Sequence, residues 1–167
     1  MLKIIHHPSP NFDDRPLRTL IDTVVLHYTD MPSTATSLER LSDPLYKVSS
    51  HYLIDEDGTI YQLVAEEKRA WHAGESSWQG RSKVNDFSIG IELQNPGHVH
   101  FLENNAWHLY PTTQSQALLS LLTDIASRYP FIRHNTVGHC DISPNRKIDP
   151  GPHFNWELLT AKGFKKF

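Results

Sequence analysis

Two histidines at the ends of predicted strands are the residues best suited to chemistry in this sequence. His27 lies near the end of the apolar run TVVLHYT, and His139 directly follows Val137 and Gly138. A buried imidazole needs a hydrogen-bond partner, so an isolated histidine of this kind is usually part of the core. Here the chain holds 11 histidines in 167 residues. Histidine is the commonest protein ligand for metals, so a metal site is worth seeking.

The segment that opens at the second histidine supplies acidic and basic groups. Residues Gly138–Gly151 read GHCDISPNRKIDPG, with two aspartates, an arginine, a lysine and two prolines. A long polar loop in a compact domain is usually functional or disordered, and the prolines limit its freedom. Two histidines and one carboxylate match a catalytic zinc site that leaves a fourth position for water. On spacing alone, both Asp141 and Asp149 are candidates for the carboxylate.

The elements that must position these groups mix strands with helices. Strands are predicted over Thr23–Thr29, Ser49–Asp55, Thr59–Val64, Phe87–Leu93 and Phe131–Gly138. Helices are predicted around Thr36–Leu41, over Gln114–Arg128 behind a Thr113/Gln116 capping box, and over Asn155–Ala161. This order predicts an α/β fold: a single domain over residues 1–167 with a central mixed β-sheet flanked by helices. Residues 1–20 contain three prolines and are expected to form an irregular N-terminal arm.

Composition argues against several classes of function. Sixteen basic against nineteen acidic residues give a net charge of −3, so no basic surplus points to nucleic acid or an anionic membrane. The single cysteine, Cys140, excludes an intramolecular disulfide framework. No run approaches the ~18 apolar residues of a membrane span. The first ten residues lack a secretory signal. A cytoplasmic protein is therefore expected, or a periplasmic or cell-envelope one if a native leader has been removed.

Four segments give the chain a family resemblance. They read LHYT, RAWHAGE, NDFSIGIEL and GHCDISPNRKIDPG, at Leu26–Thr29, Arg69–Glu75, Asn85–Leu93 and Gly138–Gly151. In this order they resemble the zinc-dependent N-acetylmuramoyl-L-alanine amidases of the amidase-2 type, which are similar in fold to peptidoglycan recognition proteins. The likeness is greatest to the bacterial branch that includes the anhydro-muropeptide amidase. It implies hydrolysis of the amide bond between N-acetylmuramic acid, in its 1,6-anhydro form or not, and L-alanine. The implied partners are peptidoglycan or its fragments.

The resemblance also implies a role for particular residues. It places Zn²⁺ on His27, His139 and Asp149, and it assigns catalysis to Glu92 and Lys147. Zinc can lower the pKa of a bound water to about 7. A carboxyl group at position 92 would carry protons, and a lysine at position 147 would stabilise the oxyanion. Without the resemblance, Glu92 would be a strand end at the surface, and Lys147 a solvated loop lysine.

The RAWHAGE segment is expected to form one wall of a substrate groove. Trp71, His72 and Ala73 would line it, because tryptophan offers a flat apolar face to a sugar or peptide. His72 would hydrogen-bond the substrate or contact the catalytic carboxylate; alternatively, the tryptophan packs in the core and the histidine caps it. Carboxylates and amides of the stem peptide are expected to bind Arg69, Arg81 and Asn85.

Two alternatives to the enzyme each predict a different site. A muropeptide-binding module without catalysis would tend to lack a metal ligand, whereas all three are present here. A structural zinc domain would have a closed site of four ligands, whereas the resemblance supplies three. The enzyme is therefore favoured, and the choice among intact wall, soluble muropeptide and anhydro-muropeptide is left open.

Overall fold

A six-stranded sheet runs through the centre of the structure, a computed structural model that describes residues 2–165. The strands in this range are β1 Ile4–His6, β2 Phe12–Asp14, β3 Thr23–Tyr28, β4 Tyr52–Ile54, β5 Ile60–Gln62, β6 Lys68–Ala70, β7 Ser77–Trp78, β8 Arg81–Ser82, β9 Ser88–Leu93 and β10 Thr136–Gly138. The helices are α1 Thr34–Ser42, α2 Gly97–Asn104, α3 Thr112–Arg128, α4 His139–Ile142 and α5 Trp156–Thr160, with 3₁₀ turns at Val84–Asp86 and Pro130–His134. None of these helices is long and apolar enough to cross a membrane.

The order of the main sheet is β1-β5-β4-β9-β3-β10, and its neighbours are parallel except in the β4–β5 hairpin. The predicted α/β fold with a central mixed sheet is therefore confirmed. The central strand β3 is buried along its whole length, and β9 is buried at all but one position. Their near-continuous apolar sequences suit parallel strands that are covered on both faces.

Alternation along the two central strands divides the core into two layers. Val24 and Leu26 pack with α3 on one face, together with Ile89 and Ile91 of β9. Val25 packs on the opposite face in a smaller cluster with Val84, Phe87, Val137 and Ile142. Successive side chains of a strand point to opposite faces. The polar side chains that follow Leu26 in β3 and Ile91 in β9 therefore point away from α3.

The N-terminal segment corrects the expectation of an irregular arm over residues 1–20. Within its described part, β1 extends the main sheet parallel to β5, and β2 pairs antiparallel with β6. Pro8 and Pro10 lie between these strands, so they remove no donor from either ladder. Arg15 then fastens the segment through its guanidinium group, which donates to the carbonyl oxygens of Glu66, Asn85, Asp86 and Ser88. Met1 lies outside the described residues.

The long helix ends at Arg128, before Pro130, as predicted, but its beginning and the segment that follows it differ from the prediction. The helix begins at Thr112, and Thr113 Oγ1 donates to the Glu56 carbonyl instead of forming a capping box. The predicted strand Phe131–Gly138 shortens to β10, because a 3₁₀ turn follows Pro130. Helix α2 lies in a polar stretch for which no element was predicted.

Candidate active site

The register of the sheet places the candidate catalytic side chains next to one another. His27 on β3 and Glu92 on β9 are paired positions of adjacent parallel strands. His139 directly follows Gly138, the last residue of β10, which pairs with Leu26. His27 and Glu92 fall on the face opposite α3, since their neighbours in each strand pack against that helix. Asp149 reaches the same place from the loop that follows α4.

Three potential metal-binding atoms converge at this point. His27 Nδ1 lies 2.9 Å from His139 Nδ1, and Asp149 Oδ2 lies 3.0 Å from the first and 3.1 Å from the second. All three residues are buried. Asp141, the other carboxylate that the spacing left open, instead accepts a hydrogen bond from the Gly138 N–H. The structure thus brings together the three residues to which the resemblance assigns the metal.

A chain of hydrogen bonds behind His27 determines where its proton lies. The Ser88 hydroxyl donates to the Val84 carbonyl at 2.7 Å, so Ser88 Oγ accepts from His72 Nε2 at 3.1 Å. The remaining nitrogen of a neutral His72, Nδ1, then accepts from His27 Nε2 at 3.0 Å. Burial and the adjacent His27 hold the pKa of His72 well below its usual value, so His72 is neutral. His27 therefore turns the lone pair of Nδ1 into the site.

His139 is oriented in the same way by a main-chain carbonyl. Its Nε2 lies 3.1 Å from the Ala73 oxygen, which can only accept, so Nε2 carries the proton and Nδ1 a lone pair. Burial lowers the pKa of His27 to about 4, and His139 acts in the same direction. The pKa of Asp149 is shifted downward despite its burial, so the carboxylate is ionised.

This donor set fits a metal ion. Two imidazole lone pairs and a carboxylate oxygen face one another at about 3 Å with no proton placed between them, and a cation would relieve their repulsion. Metal-binding histidines commonly donate their other ring nitrogen to a neighbouring acceptor, as both do here. Three such ligands leave a coordination position free for water or substrate.

Glu92 lies beside the triad in an environment that favours its protonated form. The residue is half-buried, but its Oε2 atom is buried and has no hydrogen-bond partner among residues 2–165. Burial, followed by the charge of Asp149, raises the pKa of Glu92 well above its usual value, while Lys147 opposes the shift. A carboxyl group whose pKa is raised in this way is suited to act as a general acid and base.

The triad opens into a cavity of about 530 Å³, which is large enough for a small molecule. Glu92 and Lys147 line this cavity together with the three candidate ligands. Trp71 and His72 form part of its wall, as the sequence predicts. Lining residues to which the sequence analysis gave no role include Tyr28, Met31, Arg40, His98, Arg146 and Ile148. Tyr28, Arg146 and Ile148 lie within two of the four resemblance segments, whereas Met31, Arg40 and His98 lie outside all four, so no local motif links those three to the site.

Two residues predicted to bind substrate support the wall from behind. Ala73 is fully buried, and its carbonyl oxygen accepts the hydrogen bond from His139 Nε2. Asn85 Oδ1 accepts the N–H groups of His72 and Ala73 at 3.2 and 2.8 Å. Neither Ala73 nor Asn85 is among the described residues that line the cavity. His72 likewise bonds to His27 and not to Glu92.

The two predicted stem-peptide arginines are held in ion pairs. Arg69 donates to both carboxylate oxygens of Asp13 and to Asp86. Arg81 binds Asp22 through two nitrogens. Neither arginine belongs to the described lining of the cavity. Their guanidinium groups are engaged by acidic residues of the scaffold, and substrate binding by these two arginines stays a prediction.

Fold and site together define a class. An α/β domain that brings two imidazoles and one carboxylate to strand ends, beside a buried carboxyl group in an open cavity, has the arrangement of a metallohydrolase. A family model described as N-acetylmuramoyl-L-alanine amidase matches residues 16–152. The chain therefore belongs to the N-acetylmuramoyl-L-alanine amidase family, and both the resemblance and the expectation of an enzyme are confirmed.

Individual relatives agree with this assignment. The chain is 39% identical to the 1,6-anhydro-N-acetylmuramyl-L-alanine amidase AmpD of Citrobacter freundii, over 92% of this chain and 87% of that protein. It matches the crystal structure of a selenomethionine derivative of AmpD with a TM-score of 0.84 at 36% identity, covering 96% and 94% of the two chains. It matches AmiD from Escherichia coli, in complex with the substrate anhydro-N-acetylmuramic acid-L-Ala-D-γ-Glu-L-Lys, with a TM-score of 0.80 at 38% identity, covering 92% and 62%.

Proposed function

We propose that this protein is a zinc-dependent amidase that cuts the bond between N-acetylmuramic acid and L-alanine in muropeptides, including those with the 1,6-anhydro sugar. The observation that carries the proposal is the convergence of His27, His139 and Asp149 at about 3 Å, in a cavity that also contains Glu92. The anhydro sugar is favoured because relatives that match most of this chain are named for it.

The proposed chemistry divides the work between the metal and two side chains. His27, His139 and Asp149 would hold zinc, which would supply Lewis-acid chemistry for the activation of water and the polarisation of the amide carbonyl. Glu92 accepts a proton from the attacking water and delivers it to the departing nitrogen of L-alanine. Lys147 lies in the same cavity, where its ammonium group stabilises negative charge that develops on the carbonyl oxygen.

Trp71 is the proposed contact for the body of the substrate. The residue is half-buried and lines the cavity, so part of the indole remains available to a ligand. A flat apolar surface of this type suits a sugar ring or the apolar part of a peptide stem. The polar end of the substrate would then reach the triad and Glu92.

The test is mass spectrometry of the products from anhydro-muropeptide and from intact sacculi. We expect a free stem peptide that begins with L-alanine, loss of this product after chelation, and its recovery when Zn²⁺ is added. Asp149→Ala should lose stoichiometric zinc, whereas Asp141→Asn should retain it, because Asp141 accepts from a main-chain N–H and is not one of the three converging ligands. Full turnover in metal-free protein, or unchanged zinc in Asp149→Ala, would refute the proposal.

A further inference from the structure

Both candidate metal-binding histidines donate a hydrogen bond to one of two consecutive residues. His27 Nε2 donates to the side chain of His72, and His139 Nε2 donates to the carbonyl of Ala73. The two imidazoles come from different strands, but their orientation depends on one short stretch of backbone. A displacement of this stretch would rotate both rings at once.

One side-chain oxygen binds two consecutive N–H groups of that stretch, which is also held by Ser49 at the Trp71 N–H and by Arg146 at the Ala73 carbonyl. Asn85 Oδ1 accepts the N–H of His72 at 3.2 Å and that of Ala73 at 2.8 Å. Asn85 belongs to the 3₁₀ turn that precedes β9, and its own carbonyl receives Arg15 Nη1 at 3.0 Å. Asn85 is therefore bonded to the scaffold through its main-chain carbonyl, and through its side chain to the two residues that accept the histidine hydrogen bonds.

The neighbouring strand leaves room for this arrangement. A Cβ atom at Gly90 would lie 2.4 Å from His72 Cγ, closer than side-chain atoms approach one another. The absence of a side chain at position 90 lets the His72 ring lie against β9 and bond to Ser88 Oγ. The ring therefore has little freedom to compensate if its backbone shifts.

We infer that Asn85 is a positioning residue of the metal centre, which sets the orientation of both His27 and His139 through the backbone of His72 and Ala73. The inference rests on the proposed function, since it takes those two histidines as metal ligands. Asn85 itself does not line the cavity, so its loss should act on metal binding before it acts on substrate binding. Loss of such supporting hydrogen bonds typically weakens metal affinity by about 10- to 100-fold.

The experiment compares Asn85→Ala with Asn85→Asp. Zinc affinity is measured by competition with a chromophoric chelator, and ¹⁵N NMR of the metal-free protein reports which ring nitrogen of each histidine carries the proton. In Asn85→Ala we expect zinc affinity to fall about 10- to 100-fold, and His27 and His139 to lose their uniform Nε2–H form. Asn85→Asp keeps an oxygen acceptor at the same place and should retain most of the affinity.

Leu159→Ala provides a control for a general loss of stability. Leu159 of α5 is buried in the core cluster that includes α3, on the face of the sheet opposite His27 and Glu92. Its truncation should lower the free energy of unfolding without changing the zinc affinity of the folded protein. Wild-type affinity and wild-type proton positions in Asn85→Ala would overturn the inference, as would an equal loss in Asn85→Asp. A wild-type protein that binds no zinc would instead overturn the proposed function, and the NMR comparison would still test the hydrogen bonds.

Discussion

At the scale of single residues, Glu92 differs from the other charged groups of the cavity because its buried Oε2 has no hydrogen-bond partner in the described chain. Burial and the charge of Asp149 raise its pKa, and Lys147 lowers it. A structural carboxylate would normally be ionised and hydrogen-bonded. The lack of a partner for this buried atom supports the proposal that Glu92 transfers protons during the reaction.

We expect Glu92→Gln to lower kcat for muropeptide hydrolysis by about 10²- to 10⁴-fold, because an amide of the same size cannot take a proton from water. Zinc content should remain stoichiometric, since Glu92 is not one of the converging triad. Steady-state kinetics and metal analysis of the same preparation measure both effects. A kcat within a factor of two of the wild type would exclude Glu92 as the proton carrier.

The sequence is sufficient to predict the three candidate metal ligands, but it does not show which neighbouring residues face the cavity. His27 and His139 could be found because imidazoles at the ends of predicted strands are unusual, and the family resemblance then selected Asp149 over Asp141. Asn85 was assigned to substrate because a motif does not distinguish residues that face a cavity from residues behind its wall. That difference depends on hydrogen bonds between segments that are distant in sequence.

At the scale of elements, the N-terminal segment shows why short strands escape prediction. Strands β1 and β2 have three residues each, too few to display a period, and the prolines between them are typical of irregular chain. Their position is fixed instead by pairing with β5 and β6, and Arg15 then ties the end of the segment to the scaffold. Burial lowers the pKa of this guanidinium to about 10, so it is still charged at neutral pH. The segment therefore belongs to the scaffold of the site.

We expect Arg15→Met to lower the free energy of unfolding by about 2–5 kcal/mol, because it leaves main-chain carbonyls without their donor. Two of these carbonyls belong to Asn85 and Ser88, whose side chains bond to His72. Urea denaturation measures the change. Arg18→Met is the matched control, since Arg18 is exposed on the same segment and should change stability little. Equal midpoints for the two variants would contradict a structural role for Arg15.

At the scale of the whole molecule, buried neutral histidines link folding to pH. His51 is fully buried, accepts the Gly90 N–H at Nδ1 and donates from Nε2 to the Lys68 carbonyl. Burial, with the charge of Arg15 in second place, lowers its pKa to about 3. In the unfolded chain the pKa of histidine is about 6.5. Between pH 3 and pH 6.5, His51 therefore binds a proton in the unfolded chain but not in the native protein.

The free energy of unfolding of the metal-free protein should therefore fall as pH drops below about 6.5, and His51 should contribute about 1.4 kcal/mol per pH unit until its native pKa near 3 is reached. Above pH 6.5 this contribution is fully present and constant. His51→Asn should reduce the slope of stability against pH in urea titrations from pH 7 to pH 5, whereas His134→Gln, at an exposed position, should leave it unchanged. An identical slope in His51→Asn and the wild type would mean that protonation of His51 does not oppose folding.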